Sequence, residues 1–93
     1  MNSIIQDTDE RACYISGRTD WLERHHVFGG SNRKNSEKYG LWVWLNHHYH
    51  NEPPNGVHFN VGLRRQLERI GQQAFMERFP DKDFRQIFGQ NYL

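Results

Sequence analysis

Six histidines fall between His25 and His58, and none lies outside that stretch. They form three groups: the adjacent pair His25-His26, the cluster His47, His48 and His50, and His58 alone. In a chain of 93 residues this clustering is the strongest constraint on the fold. A chain so short buries too little apolar surface for a large core, and a metal or a partner commonly supplies the missing stability. Only 35% of the residues are hydrophobic, below the ~45–50% of an average globular domain. Imidazole is the commonest metal ligand and the side chain that gains or loses a proton near neutral pH. A lone histidine is ordinarily a surface or structural residue. A HisHis pair followed by a histidine-rich helix start points instead to a metal site.

The rest of the composition narrows the classes. A single cysteine, Cys13, excludes an internal disulfide and any zinc site built mainly of thiolates. Twelve Lys and Arg against 11 Asp and Glu give a formal net charge of +1, which gives no sign of a strongly basic nucleic-acid-binding tail. No apolar run approaches the ~20 residues of a membrane span, and the start MNSIIQDTDE has no signal-peptide core. The expectation is a cytoplasmic protein with no membrane partner.

Local signals predict one α+β domain over residues 1–93. Residues 1–10 are polar and read as a flexible arm. Residues 12–15 (ACYI) form a short β-prone run, and 16–20 (SGRTD) a turn. A strand is expected over Trp21–Phe28, closed by Gly29-Gly30. In the polar loop that follows, Asn35 or Ser36 can cap one helical turn through Tyr39, stopped by Gly40. Leu41–Leu45 (LWVWL) is the most apolar segment and rich in β-formers, so a strand buried on both sides is expected. Asn46 is placed to cap a short helix ended by Pro53-Pro54. Asn60 can cap a longer helix to about Phe79, with Leu63, Leu67, Ile70 and Ala74 as its buried stripe. Asp81 can cap a last helix carrying Phe84, Ile87 and Phe88, stopped by Gly89. The two strands form a short antiparallel hairpin, and residues 60–93 supply helices that pack on it.

Adjacent strand residues point to opposite faces, so His25 and His26 cannot simply share one ion. One can bind metal while the other acts nearby. His47 and His48 read as exposed helix residues, and His50 as the better ligand.

The segment ERHHVFGG (residues 23–30), the strand 41–45 and a helix bearing His50 resemble the HNH endonuclease family. The run RHHVFGG, the loop residues NRK and SEKYGLWVWL, the later GVH and the terminal FGQNYL resemble small HNH-type proteins of phages and prophages. The nuclease motif covers about residues 12–58. The resemblance implies a ββα-metal core: a strand with HisHis, a loop, a second strand, and a helix with the last histidine. It also implies a metal-dependent DNA endonuclease, phage- or mobile-element-encoded, in the cytoplasm of a bacterial host. Carried over, His25 is a metal ligand, His26 the general base and His50 a second ligand. His58 is the candidate for a further ligand, because the turn at 53–56 can bring it back toward His50. The family's middle asparagine falls near Gly40-Leu41, where this chain has none. A backbone carbonyl or Asn46 is then the expected orienter of the His26 ring.

Many HNH domains also carry a structural zinc held by two CxxC pairs. The matching positions here read CYIS (13–16) and NHHY (46–49), so no structural zinc is expected and Cys13 reads as a small buried residue. The fold must then rest on an aromatic core, with Trp21, Trp42, Trp44, Phe75, Phe79, Phe84 and Phe88 as candidates.

Phosphodiester hydrolysis needs an activated water, charge stabilisation on phosphate and help for the leaving 3′ oxygen. A neutral histidine does the first, and one divalent ion does the other two. Histidine ligands suit Zn²⁺ or Mn²⁺ better than Mg²⁺, which remains possible in the cell. Glu23 could at most assist the pair. Arg24, with Arg33 and Lys34 in the loop between the strands, can clamp phosphates. Arg64, Arg65 and Arg69 on the long helix can extend the electrostatic footprint. DNA is the expected partner, with RNA left open. A single site that cuts both strands must dimerise or act twice, so a homodimer stays open too. Two other readings compete: an inactive HNH-fold DNA-binding or accessory protein, and a domain whose histidines only fix the fold around a metal.

Overall fold

The computed structural model covers residues 1–93 and is a small α+β fold: a two-stranded antiparallel sheet with helices around it. Leu22–His26 (β1) pairs with Trp42–Asn46 (β2), with Leu22 opposite Asn46, His25 opposite Val43 and His26 opposite Trp42. Trp42, Val43 and Leu45 are buried, so the apolar run does form a strand covered on both faces. Strand alternation puts Glu23 and His25 on one face of β1, and Arg24 and His26 on the other.

Between the strands lie a tight 3₁₀ turn, Gly30–Asn32, and a helix, Arg33–Lys38 (α1). Arg33 and Lys34 thus open a helix rather than sit in a loop, and Ser36 is not its cap. The Ser36 hydroxyl is buried, donates to the Phe28 carbonyl at 2.7 Å and accepts from the Phe28 N–H at 3.1 Å. That pair of bonds ties α1 to the chain just past β1.

The expected strand at 12–15 is a turn instead. Cys13 N–H donates to Arg18 O and Gly17 N–H to Cys13 O, which curls the chain after a single bond, Tyr14 N–H to Trp44 O, has been made to β2. The first residues are not a free arm. Ile4 N–H donates to Gly40 O, the Ser3 hydroxyl to Trp42 O, and the Gln6 side-chain carbonyl accepts from Trp44 N–H. Together these groups satisfy the outer edge of β2, which an unpaired strand would leave open.

Of the three later helices, two start at the expected caps. Asn46 caps His47–Asn51 (α2), its side chain accepting from His48 N–H at 3.0 Å. Asn60 caps Val61–Arg78 (α3) through Leu63 N–H, also at 3.0 Å. Phe84–Phe88 (α4) is capped by Asp83 rather than Asp81, and Gly89 ends it at φ 82°, a conformation that favours glycine.

The buried face of α3 is rotated from the expected stripe. Leu67, Gly71, Gln72 and Phe75 are buried, whereas Ile70 is 38% exposed. Gly71 accompanies the rotation: a Cβ there would stand 3.0 Å from a Val27 methyl and 3.1 Å from the Phe28 ring, tight enough that these side chains would have to yield by a few tenths of an ångström. The helix therefore docks on the end of β1 rather than standing apart. Its Phe75 ring packs against Tyr39, Phe79, Phe84 and Phe88 at 5.2–5.7 Å between centroids. Of the expected aromatic core, Trp42, Phe75, Phe84 and Phe88 are buried, and Phe79 and Trp44 partly so. Trp21 is 65% exposed, and Phe28 takes its place at the centre. No helix is long and apolar enough to cross a membrane.

Candidate metal centre

The three predicted ligands meet in space. One ring nitrogen from each of His25, His50 and His58 lies within 4.8 Å of the others, close enough to hold one ion together. β1 supplies His25, α2 supplies His50, and the turn through 53–56 returns the chain to place His58. The rings are packed edge-on or tilted, with centroids 4.8–5.5 Å apart.

The donor set itself tests whether a metal fits. His25 Nε2 is a buried polar atom with no hydrogen-bond partner in the protein. An orphan of this kind costs about 1–3 kcal/mol and calls for a ligand. Burial, and then the charges of His50, His58 and His26, push His25 down from 6.5 to about 3. His58 is lowered as well, by burial and then by His50 and Arg64. Both rings are thus held neutral near pH 7, the form that can donate a lone pair to a cation. Three histidines can hold a metal ion here, and a three-ligand set leaves coordination positions open.

Glu23 organises the site more than its sequence position suggested. Its two carboxylate oxygens stand 2.9 Å from His47 Nδ1 and 2.9 Å from His50 Nδ1, and Asn51 donates to it at 2.8 Å. Partial burial works to raise its carboxyl, but the bonds from His47, His50 and Asn51 outweigh this and hold it below the ordinary value. An ionised carboxylate only accepts, so in this contact His50 carries its proton on Nδ1, which leaves Nε2 as the nitrogen free to ligate. His47 is therefore not a bystander: it bonds Glu23 and stacks on Trp21 at 4.2 Å.

His26 faces the other way. Its Nε2 is 2.7 Å from Glu37 Oε2, and Arg24 donates to the second oxygen of the same carboxylate. The His26 bond is the largest influence and holds Glu37 below the usual carboxylate range; desolvation, next in size, opposes it, and the Arg24 charge adds to the lowering. Asn46, the expected orienter of His26, is committed elsewhere: it caps α2 and donates to Asp20 O at 2.9 Å.

The two faces join where β1 runs out into Gly29-Gly30. A cleft of about 320 Å³ is lined there by His25, His26, His50 and His58, with Arg24, Arg33 and bare glycine backbone. Lys34 lines the adjoining groove with Arg24, His26, Arg33 and Glu37. Of the predicted phosphate contacts, Arg24, Arg33 and Lys34 thus surround the site. Arg65 is instead paired with Glu68 along α3 at 3.2 Å, and the charge of Arg64 helps lower His58. Sequence reasoning missed Glu37 because a glutamate in a polar segment carries no local sign of its partner. Only the geometric phase of a helix after β1 would have hinted at it. No protein-family model, curated protein or solved structure matches this chain.

Proposed function

We propose that this protein is a metal-dependent endonuclease of the HNH type, with a ββα-metal core, that hydrolyses DNA phosphodiester bonds. The observation that carries the reading is the convergence of His25, His50 and His58 on one point, with His25 Nε2 buried and orphaned and both His25 and His26 lining one cleft. The order β1, α1, β2, α2, with HisHis on the first strand and His50 on the helix after the second, supports it.

Each residue then has a distinct task. His25, His50 and His58 hold the ion, and Glu23 keeps the His50 ring turned for it. When bound, a divalent ion supplies Lewis-acid stabilisation to the phosphate and the departing 3′ oxygen. Arg24, Arg33 and Lys34 bind flanking phosphates by charge-assisted hydrogen bonds. His26, on the opposite face of β1 from His25, takes a proton from the attacking water. Its separation from the ligands matters, because a ring that ligates an ion cannot also accept a proton at that nitrogen.

The test is nicking of supercoiled plasmid with Mn²⁺, Mg²⁺ or Zn²⁺. The wild type should nick, and His26→Ala should slow nicking by about 10²–10⁴-fold, the usual worth of a general base. Absence of nicking with all three ions, or an unchanged rate in His26→Ala, overturns the proposal. Plasmid binding without cleavage would mark an accessory DNA-binding protein instead.

A further inference from the structure

We infer that Glu37 is the positioning residue of His26: its carboxylate holds the Nε2 proton, so that Nδ1 is the nitrogen that accepts a proton. The catalytic consequence rests on the nuclease reading above, whereas the ring geometry does not.

The distance of 2.7 Å between His26 Nε2 and Glu37 Oε2 is that of a charge-assisted hydrogen bond. An ionised carboxylate has no proton to give, so the ring must donate, and a neutral imidazole that donates from Nε2 has its lone pair on Nδ1. The carboxylate is itself held by Arg24, and its backbone by Ser36. Arg24 Nη1 donates to Oε1, and the Arg24 guanidinium lies 3.8 Å above the Trp42 ring. Trp42 is the residue opposite His26 in the strand register, so donor, carboxylate and ring share one face of the sheet. The backbone that carries Glu37 is fixed by the neighbouring Ser36, through its two bonds to Phe28. The side chain that could have done this work from β2, Asn46, is occupied with α2 and Asp20.

The arrangement fits a proton-accepting role. As the water oxygen forms its bond to phosphorus, the proton it gives up goes to the lone pair on Nδ1. The bond from phosphorus to the 3′ oxygen breaks, its electron pair leaves with that oxygen, and the oxygen takes a proton from solvent. The His26 ring is now an imidazolium, and its new charge faces the Glu37 carboxylate rather than open solvent. Without Glu37 the ring is free to exchange tautomers and to turn, so a fraction of molecules presents N–H to the water.

Two measurements on the full chain test this. In two-bond ¹H–¹⁵N imidazole spectra, with and without Zn²⁺, His26 should show protonated Nε2 and unprotonated Nδ1. Glu37→Ala should move it toward a mixture of tautomers. A His26 signal with protonated Nδ1 in the wild type, or no change in Glu37→Ala, overturns the inference. In the plasmid assay, Glu37→Ala and Glu37→Gln should lower kcat by about 10–100-fold with KM unchanged, the scale of lost supporting partners elsewhere. The Glu37 side chain is 43% exposed, so neither substitution removes core packing. If the wild type nicks and both variants nick equally fast, the inference fails and the nuclease reading stands. If the wild type never nicks while the tautomer shifts as described, the nuclease reading fails and the positioning of the ring stands.

Discussion

Acid applied to the metal-free chain probes the centre most directly. His25 is 4% exposed, and burial with the neighbouring histidine charges moves it from 6.5 to about 3. In the unfolded chain it returns to its ordinary value near 6.5. The folded value lies below the unfolded one, so between them the unfolded chain binds a proton that the folded chain refuses. The stability tied to His25 is therefore whole above about pH 6.5 and is lost as pH falls toward about 3. At about pH 5.5 the loss is on the order of 1 kcal/mol, and at about pH 4.5 on the order of 3 kcal/mol. For a domain of this size 1 kcal/mol moves Tm by about 4–8 °C, so the first step should lower it by roughly that much. Glu23 and Glu37 are held below their ordinary 4.5, so their losses begin at lower pH. His58, also lowered, adds to the His25 effect in the same direction. The assay is thermal unfolding followed by near-UV circular dichroism, with chelator present, across this window. His25→Gln should give a flatter dependence of Tm on pH than the wild type, whatever its absolute stability. Parallel curves for the two proteins would refute the argument, because the proton refused on folding would not be the one at His25.

Two further outcomes follow from the same geometry. Zn²⁺ should raise Tm, by about 2.7 kcal/mol of stabilisation at about a hundredfold excess over Kd, and His50→Ala and His58→Ala should each weaken Zn²⁺ binding in titration calorimetry; affinities equal to wild type in both would dissolve the centre. Phe75→Ala should cost about 3–5 kcal/mol in urea unfolding, since Phe75 is fully buried among four aromatic rings; a loss below about 1 kcal/mol would mean that α3 is not docked through that ring.

The elements were most legible where a side chain acts on its own backbone neighbours. Asn46 and Asn60 cap helices through N–H groups two and three residues ahead, and Gly89 stops α4 by adopting positive φ. Asp81 misled because a second aspartate, Asp83, stands closer to the first turn of α4 and wins the cap. The β-prone run at 12–15 misled for a different reason. Strand propensity needs a partner, and the edge of β2 was already satisfied by Ser3, Ile4 and Gln6. Ile70 has the spacing of a buried position, yet the helix turns the face of Gly71 to Val27 and Phe28 instead.

The same division runs through the site. Residue types, their order and the family resemblance they carry nominated His25, His26, His50 and His58, because imidazole serves both metal ligation and proton transfer and strand alternation separates His25 from His26. Which histidines share a point, and what holds each ring, depended on contacts that close long loops. Glu23 meets His50 and His47 from another element, and Glu37 meets His26 across the turn between the strands. A carboxylate that accepts from a distant ring looks, along the chain, like any solvated glutamate. Burial had the same dependence: His25 is 4% exposed where its strand pairs with Val43 and its ring packs against those of His50 and His58, and no property of residue 25 and its neighbours in the chain dictates that.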